Sequence, residues 1–370
     1  MAKLGDICTI NMGQSPSSSS YNSTGEGLPF FQGNADFGDI HPTIRTWCSS
    51  PIKIAEKDDI LISVRAPIGA LNIANEQCCI GRGLAALTNH TKNIYINYLW
   101  FALFSKIDEL NSKGTGSTFK AINKKILAET DIPLPSLEKQ KQIAKQLSCL
   151  DTLLSRKKQQ LSKLEQIVKC RFVEMFGDPV KNPYNWNTTS LNALGELNRG
   201  VSKHRPRNAP ELLNGKYPLI QTGDIASSDL YITKYSSTYS EFGLKQSRMW
   251  PVGTLCITIA ANIAKTSILK FDACFPDSVV GFTSGKDYIQ VFIHFWFSFF
   301  QKILEEQAPE SAQKNINLKI LNELKVISPP NYLQKSFFNF VQQIEKSKSS
   351  VKQSLNTLET LKKSLMHEYF

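Results

Sequence analysis

Between Leu137 and Phe176 the chain carries no glycine or proline, and apolar residues return at alternating steps of three and four: Ile143, Leu147, Leu150, Leu154, Leu161, Leu164 and Val168. The same rhythm returns over 333–370 with Phe337, Val341, Ile344, Val351, Leu355 and Leu358. Such spacing is a heptad seam and predicts two long helices that pair along it. Lys157 interrupts the first seam and Lys348 the second; each aligns with an apolar residue of the sister helix, Val351 and Leu154. Unlike seams favour pairing of unlike helices in one register. Two amphipathic helices lying each on its own domain have the same periodicity, but a seam of roughly six turns is longer than most packing helices need.

Ahead of each long helix the pattern is mixed. Short apolar runs bounded by turn residues, such as Asp59-Ile-Leu-Ile-Ser-Val64, read as strands. Close apolar spacing over 95–110 and 288–304 predicts a helix in each half. A proline stop follows in both, Ile132-Pro-Leu-Pro135 and Ile327-Ser-Pro-Pro330. These parallels are an internal repeat. At one offset Ile122-Asn-Lys-Lys-Ile-Leu127 falls on Ile316-Asn-Leu-Lys-Ile-Leu321, Pro135 on Pro329, Gln140-Lys141 on Gln334-Lys335, and Glu174-Met175-Phe176 on Glu368-Tyr369-Phe370. With a small gap Ile60-Leu-Ile-Ser-Val64 matches Leu255-Cys-Ile-Thr-Ile259, and Cys79 falls on Cys274; earlier, Pro29-Phe-Phe-Gln32 meets Pro218-Leu-Ile-Gln221. The chain is a duplication, with a mixed α/β (α+β) domain at 1–134, a helix at 135–178, a second such domain at 179–328 and a second helix at 329–370.

Charge narrows the partner. Against 32 Asp+Glu stand 43 Lys+Arg, a formal +11; the balance suits a polyanion, whose condensed counterions each neutralised phosphate releases. A basic but inert surface has the same composition. The eight cysteines show no Cys-x-x-Cys, and Cys78 and Cys79 are adjacent. With no secretory signal after Met1-Ala2-Lys3, reduced thiols serving as small hydrophobes in a cytoplasm are expected, and no metal site. The apolar run Val291-Phe-Ile-His-Phe-Trp-Phe-Ser-Phe-Phe300 is half the length a membrane span needs and predicts a buried helix.

A recognition half, a proline stop and a Gln-Lys-x-Ile helix, then the same again, resembles the specificity subunits of type I restriction–modification systems. The motifs that carry the resemblance are Ile132-Pro-Leu-Pro-Ser-Leu-Glu-Lys-Gln-Lys-Gln-Ile143, Gly114-Thr-Gly-Ser-Thr118, Val64-Arg-Ala-Pro-Ile-Gly69 and Phe172-Val-Glu-Met-Phe-Gly-Asp-Pro179. The second copy departs from them: Ser328-Pro-Pro-Asn-Tyr lacks the Glu-x-x-Gln spacing, and Ala260-Ala-Asn-Ile-Ala264 replaces Arg-Ala-Pro-Ile-Gly. The resemblance implies that each domain reads one half of a split DNA target and that the long helices form an antiparallel, pseudo-twofold coiled coil holding the domains apart. About 40 residues at roughly 1.5 Å each span on the order of 60 Å, ample for half-sites one duplex turn, about 34–36 Å, apart. Because the two domains differ in sequence, an asymmetric target is expected.

Base edges are read by Arg, Lys, Asn and Gln in polar loops. In the first domain these are Gln14, Gln32, Asn34, Arg45, Arg65, Lys113 and Lys120. In the second they are Lys203, His204, Arg205, Arg207, Gln221, Lys245, Arg248 and Lys314, with the Lys203–Arg207 cluster foremost. Arg65 and Arg82 sit beside glycine turns, where an arginine often anchors backbone. Lone histidines such as His41 and His294 are read as structural.

Catalytic signatures are missing. No Walker-type Gly-x-x-x-x-Gly-Lys-Ser/Thr occurs. Pro329-Pro-Asn-Tyr332 has the letters of an adenine methyltransferase motif in the wrong order, at an aligned proline stop. Glu323-Leu-Lys325 has a nuclease-like spacing that its counterpart Glu129-Thr-Asp131 lacks. A non-catalytic chain that binds no cofactor is expected. The resemblance implies double-stranded DNA, two methyltransferase subunits and motor–nuclease subunits as partners, with methyl donor, ATP and Mg held by those subunits. The exposed flanks of the paired helices, with Lys139, Lys141, Arg156, Lys158 and Lys169 on the first, are the expected docking surface. The competing reading is a two-domain coiled-coil scaffold that binds protein and not DNA; an enzyme with an unrecognised active site is the other.

Overall fold

The computed structural model describes residues 1–91, 93–116, 120–260, 263–307 and 316–370. Met1–Lys158 with Gln353–Phe370 form one compact unit, and Gln159–Lys352 form a second. Both long helices run as the heptads predict, Leu137–Phe176 over 40 residues and Asn331–Tyr369 over 39. The unit boundary falls inside each of them, so neither helix belongs to one unit alone.

In the first unit, among the described residues, an antiparallel sheet runs in the order Cys8–Met12, Leu84–Asn89, Ile60–Ser63, Leu71–Ile73. Ile60, Ile62, Ala85 and Leu87 point from one face toward Tyr98, Leu99, Leu103, Ile143, Leu147 and Leu150, all buried; the alternate residues Leu61, Leu84 and Ala86 pack on a smaller cluster with Phe31 and Ile80. The period-two alternation of strands buried on both faces therefore reads as a continuous apolar run. A second sheet pairs Leu28–Phe31 parallel to Cys78–Ile80, with Trp47–Cys48 and Ile54–Ala55 outside them. The helix expected over 95–110 is two, Ile96–Ser105 and Ile107–Ser112, broken at Lys106. The last turns of the second long helix complete this core: Leu358, Leu365, Met366, Tyr369 and Phe370 pack against it, with Phe370 5.3 Å from the Tyr98 ring.

The second unit repeats the plan. Glu196–Arg199, Val279–Thr283, Leu255–Thr258 and Thr266–Leu269 are antiparallel neighbours, with Tyr231–Ile232 added parallel at the edge. Leu219 pairs parallel with Cys274, matching the parallel Phe30–Cys79 pairing of the first unit. The apolar run around His294 lies in the helix Asp287–Gln307 with Val291, Phe292, Ile293, Trp296 and Phe297 buried; no described helix is long and apolar enough to cross a membrane. Val168, Phe172 and Phe176 of the first long helix belong to this core, and Phe172 contacts the rings of Phe292, Phe299 and Phe337 at 5.3–5.5 Å.

Within each unit the helix segments run antiparallel along the predicted seam. In the first, Lys362 Nζ reaches Asp151, and Tyr369 Oη donates to Gln146 at 2.9 Å. In the second, Glu165 lies 3.8 Å from Lys348 and Phe172 faces Phe337. Ile143, Leu147, Leu150, Leu154, Val168, Phe337, Val341 and Val351 are buried; Leu161, Leu164, Ile344, Leu355, Leu358 and Lys157 are half-buried. Lys348 is buried and ringed by Glu345, Asp229 and Glu165 at 3.1, 3.5 and 3.8 Å. Gly177, at φ +76°, ends the first helix in the left-handed conformation that glycine adopts without strain. Six cysteines are buried as expected, Cys8, Cys48, Cys78, Cys79, Cys256 and Cys274; Cys149 and Cys170 are exposed instead, because the helix carries them off the seam. Burial raises the Cys8 and Cys78 thiols to about 12, so both stay protonated hydrophobes.

Candidate nucleic-acid interface

The sheet end of the first unit gathers residues that lie far apart in the chain. Gly13 N donates to Leu84 O at 2.9 Å, and Gln14 N to Ile80 O at 3.0 Å. Gly83 N donates to Gln32 O (3.2 Å), Val64 N to Gly83 O (2.9 Å), Ile122 N to Val64 O (2.9 Å) and Ala66 N to Lys120 O (3.1 Å). This backbone lattice sets Gln14, Gln32, Arg82, Arg65 and Lys120 along one edge, all with exposed side chains. Glycine is required at two of its nodes. A Cβ on Gly13 would lie 2.2 Å from Gly81 O, and one on Gly83 2.4 Å from Gln32 O. Gln32 N is held by Asp36 Oδ2 at 2.8 Å, which orders the turn carrying half-buried Asn34. Arg45 is exposed beside it, one residue from Thr46, whose carbonyl accepts from Phe30 N. Lys113 is exposed but tied to Glu109 at 2.6 Å; that hydrogen bond raises the lysine pKa and lowers the glutamate's.

Part of the lattice recurs in the second unit. Gly200 N donates to Val279 O, Ile259 N to Ser278 O and Ile316 N to Ile259 O at 2.8–3.0 Å. Gln221 N is held by Asp224 Oδ2 at 2.8 Å, as Gln32 N is by Asp36. These equivalences place Ser278 on Gly83 and Asp277 on Arg82. The Lys203–Arg207 loop lies beside that turn, with Lys203, Arg205 and Arg207 exposed and His204 half-buried. Gln246 Oε1 accepts from Lys203 N (2.7 Å) and His204 N (3.0 Å), and His204 sits 3.6 Å from Glu211.

The cluster is not a free cationic patch. Arg207 lies 2.5 Å and Arg205 3.5 Å from the Asp277 carboxylate, and Arg199 Nε donates to the Asp277 carbonyl. Arg205 Nη1 also donates to Ser202 O and His204 O at 2.6 and 2.8 Å. Lys245 is exposed at a short helix end beside this loop, and Arg248 lies over the Trp250 ring at 4.3 Å. Lys314 lies outside the described residues. Arg82, read from sequence as a backbone anchor, has instead an exposed side chain; only its amide, bonded to Ser15 Oγ at 3.3 Å, serves the turn. Asp277, neither a cation nor an amide, carries no sign of base readout in the sequence; its one signal is the repeat, which sets it on Arg82.

On the helices, Lys139, Lys141, Arg156, Lys158 and Lys169 are all exposed. No group of three or more His, Cys, Asp or Glu among the described residues is placed to hold a metal. His294 is half-buried and hydrogen-bonded through Nδ1 to Thr266 Oγ1 at 3.0 Å; desolvation of the imidazole, with Lys348 nearby, lowers its pKa to about 4. It stays neutral at physiological pH.

Comparison with known proteins agrees with this duplicated plan. Residues 1–166 and 183–360 each match the model of the type I restriction modification DNA specificity domain. A Methanocaldococcus jannaschii protein assigned as the MjaX type I restriction enzyme specificity subunit is 47% identical over 163 residues, 43% of this chain and 38% of that protein. The type I restriction enzyme EcoBI specificity subunit of Escherichia coli is 21% identical over 329 residues, 81% of this chain and 69% of its own. The match to the MjaX relative thus spans well under half of that protein's length. A crystal structure of a type I restriction–modification S subunit from M. genitalium has the same fold, with TM-score 0.64 at 16% identity over 100% of this chain and 95% of that one. With both repeats matched over nearly their whole length, the chain belongs to the family of type I restriction–modification DNA specificity domains.

Proposed function

We propose that this chain is the sequence-reading subunit of a type I restriction–modification complex. Each domain reads half of a split, asymmetric target in double-stranded DNA. The observation that carries the reading is the repeated sheet-end lattice, which presents Gln14, Gln32, Arg65, Arg82 and Lys120 in one unit and Lys203, Arg205, Arg207 and Gln221 in the other. Amide side chains suit adenine edges, guanidiniums suit guanine edges, and lysines suit phosphates. The differing side chains on a shared backbone frame are what two different half-sites require.

The chain supplies no chemistry of its own in this reading. Methyl donor, ATP and Mg belong to two methyltransferase subunits and to motor–nuclease subunits in the cytoplasm, and the methyltransferases dock on the exposed flanks of the paired helices, where the first carries Lys139, Lys141, Arg156, Lys158 and Lys169. Methylome sequencing with and without the gene tests this: one split adenine-methylated motif should vanish with the gene. An unchanged methylome, with purified chain that neither retains duplex DNA nor co-elutes with the neighbouring methyltransferase, favours the protein-binding scaffold instead.

A further inference from the structure

The two copies distribute charge in opposite ways over the same frame. In the first, the turn at the sheet edge carries Arg82 and the facing loop is Gln14-Ser-Pro-Ser-Ser-Ser-Ser20, without a charge. In the second, the equivalent turn carries Asp277 and the facing loop carries Lys203, Arg205 and Arg207. The Asp277 side chain is 25% exposed, whereas those of Arg205 and Arg207 are 55% and 47% exposed. One partly buried carboxylate therefore holds two outward guanidiniums from behind. The hold is not saturated: Oδ1 lies 2.5 Å from Arg207 Nη2 yet outside hydrogen-bonding angles.

We infer that Asp277 is a specificity-determining residue of the second domain, holding Arg205 and Arg207 for base edges and against indiscriminate phosphate capture. The inference rests on the DNA-reading function proposed above. A guanidinium has five N–H donors in a fixed fork, and a carboxylate behind it leaves the outward ones available. A neutral acceptor edge, such as guanine O6 and N7, meets those donors with little repulsion from Asp277. A phosphate brings a full negative charge toward the carboxylate, within the screening length of about 8 Å at physiological salt. The same aspartate thus orders the readers and disfavours the wrong ligand, and discrimination is the difference of the two affinities. Arg205 is further fixed by the Ser202 and His204 carbonyls, so its direction is set before DNA arrives.

The test measures binding of the full chain to a duplex carrying its methylated motif and to a scrambled duplex, across a salt series. Asp277→Asn should raise affinity for the scrambled duplex about 3- to 10-fold and steepen its salt slope by about one. The ratio of motif to scrambled affinity should fall about tenfold. In an Arg205→Ala/Arg207→Ala background the same substitution should change nothing. Arg82→Asp, at an exposed side chain where folding is not at stake, should weaken scrambled-duplex binding through the first domain. Unchanged discrimination in the Asp277→Asn chain, or a gain that persists in full without the two arginines, overturns the inference. A wild-type chain that retains neither duplex at low salt removes the DNA-reading function itself, and this inference with it.

Discussion

Gln140 lies buried at the foot of the first long helix. Its Nε2 donates to Asn93 O and Pro135 O at 2.9 Å, and its Oε1 accepts from Tyr95 N at 2.8 Å. Its counterpart Gln334 donates to Pro329 O at 2.8 Å. One side chain thus satisfies three part-buried backbone groups beside a proline stop, which gives the repeated glutamine a physical reason. Gln140→Ala should cost about 1–3 kcal/mol in urea unfolding, and Gln334→Ala less, since an orphaned group costs roughly 1–3 kcal/mol when buried and less where water can reach it. His294 makes a prediction in pH. Unfolded, its imidazole takes a proton below its ordinary 6.5; folded, burial and Lys348 delay this to about 4, against a weaker pull from Asp229. Between those values the unfolded chain binds a proton the folded chain does not, so stability should fall as pH drops from 6.5 toward 4, by at most about 3 kcal/mol. His294→Gln should flatten that profile; an equally steep one would assign the loss to other groups. Residue types at the candidate interface were legible in the sequence, but pairings such as Arg207 with Asp277 were not, because the partner arrives from a distant turn.

At the scale of elements, the seam decides the most. Lys348 occupies the position that Leu154 holds in the sister helix, and burial opposes its charge; the carboxylates of Glu345, Asp229 and Glu165 outweigh that and raise its pKa above the ordinary lysine value. Asp229 also binds Lys352 Nζ at 2.7 Å. Lys348→Met should lower stability by about 1–3 kcal/mol, less than a fully buried pair because Glu165 and Asp229 are nearly half exposed. Asp229→Asn should cost less in that background than alone, a coupling that a double-mutant unfolding cycle reads; strict additivity would show that the carboxylates do not compensate this lysine. The lysine was visible as a break in the heptads. Its compensation was not, since Asp229 comes from outside the two helices. The split of the expected 95–110 helix at Lys106 was equally hidden, for the apolar spacing runs on unbroken past it.

For the whole molecule, the consequential finding is where the cores close. Domain boundaries drawn at the proline stops separate helices from domains, whereas each compact unit takes a segment of both helices. Phe172 belongs by sequence to the first repeat but packs among Phe176, Phe292, Phe299 and Phe337 of the second unit. Phe172→Ala should therefore cost about 3–5 kcal/mol and speed amide exchange in Leu255–Thr258 and Val279–Thr283 while sparing Ile60–Ser63 and Leu84–Asn89. Loss of protection confined to the first unit's strands would contradict this partition.

The sequence by itself determined the duplication, the two long helices and their seam, and the mixed α/β character of each domain. Those properties are periodic or repeated, so they are written locally: apolar spacing sets which face is buried, and glycine and proline set where helices stop. Only the tertiary structure decided which side chains share a surface, which helix segment closes which core, and which charges are already paired. The Arg82–Asp277 exchange shows why. Three of the backbone hydrogen bonds recur in both copies, yet the sign of the charge they present is fixed by contacts between segments that no local pattern links.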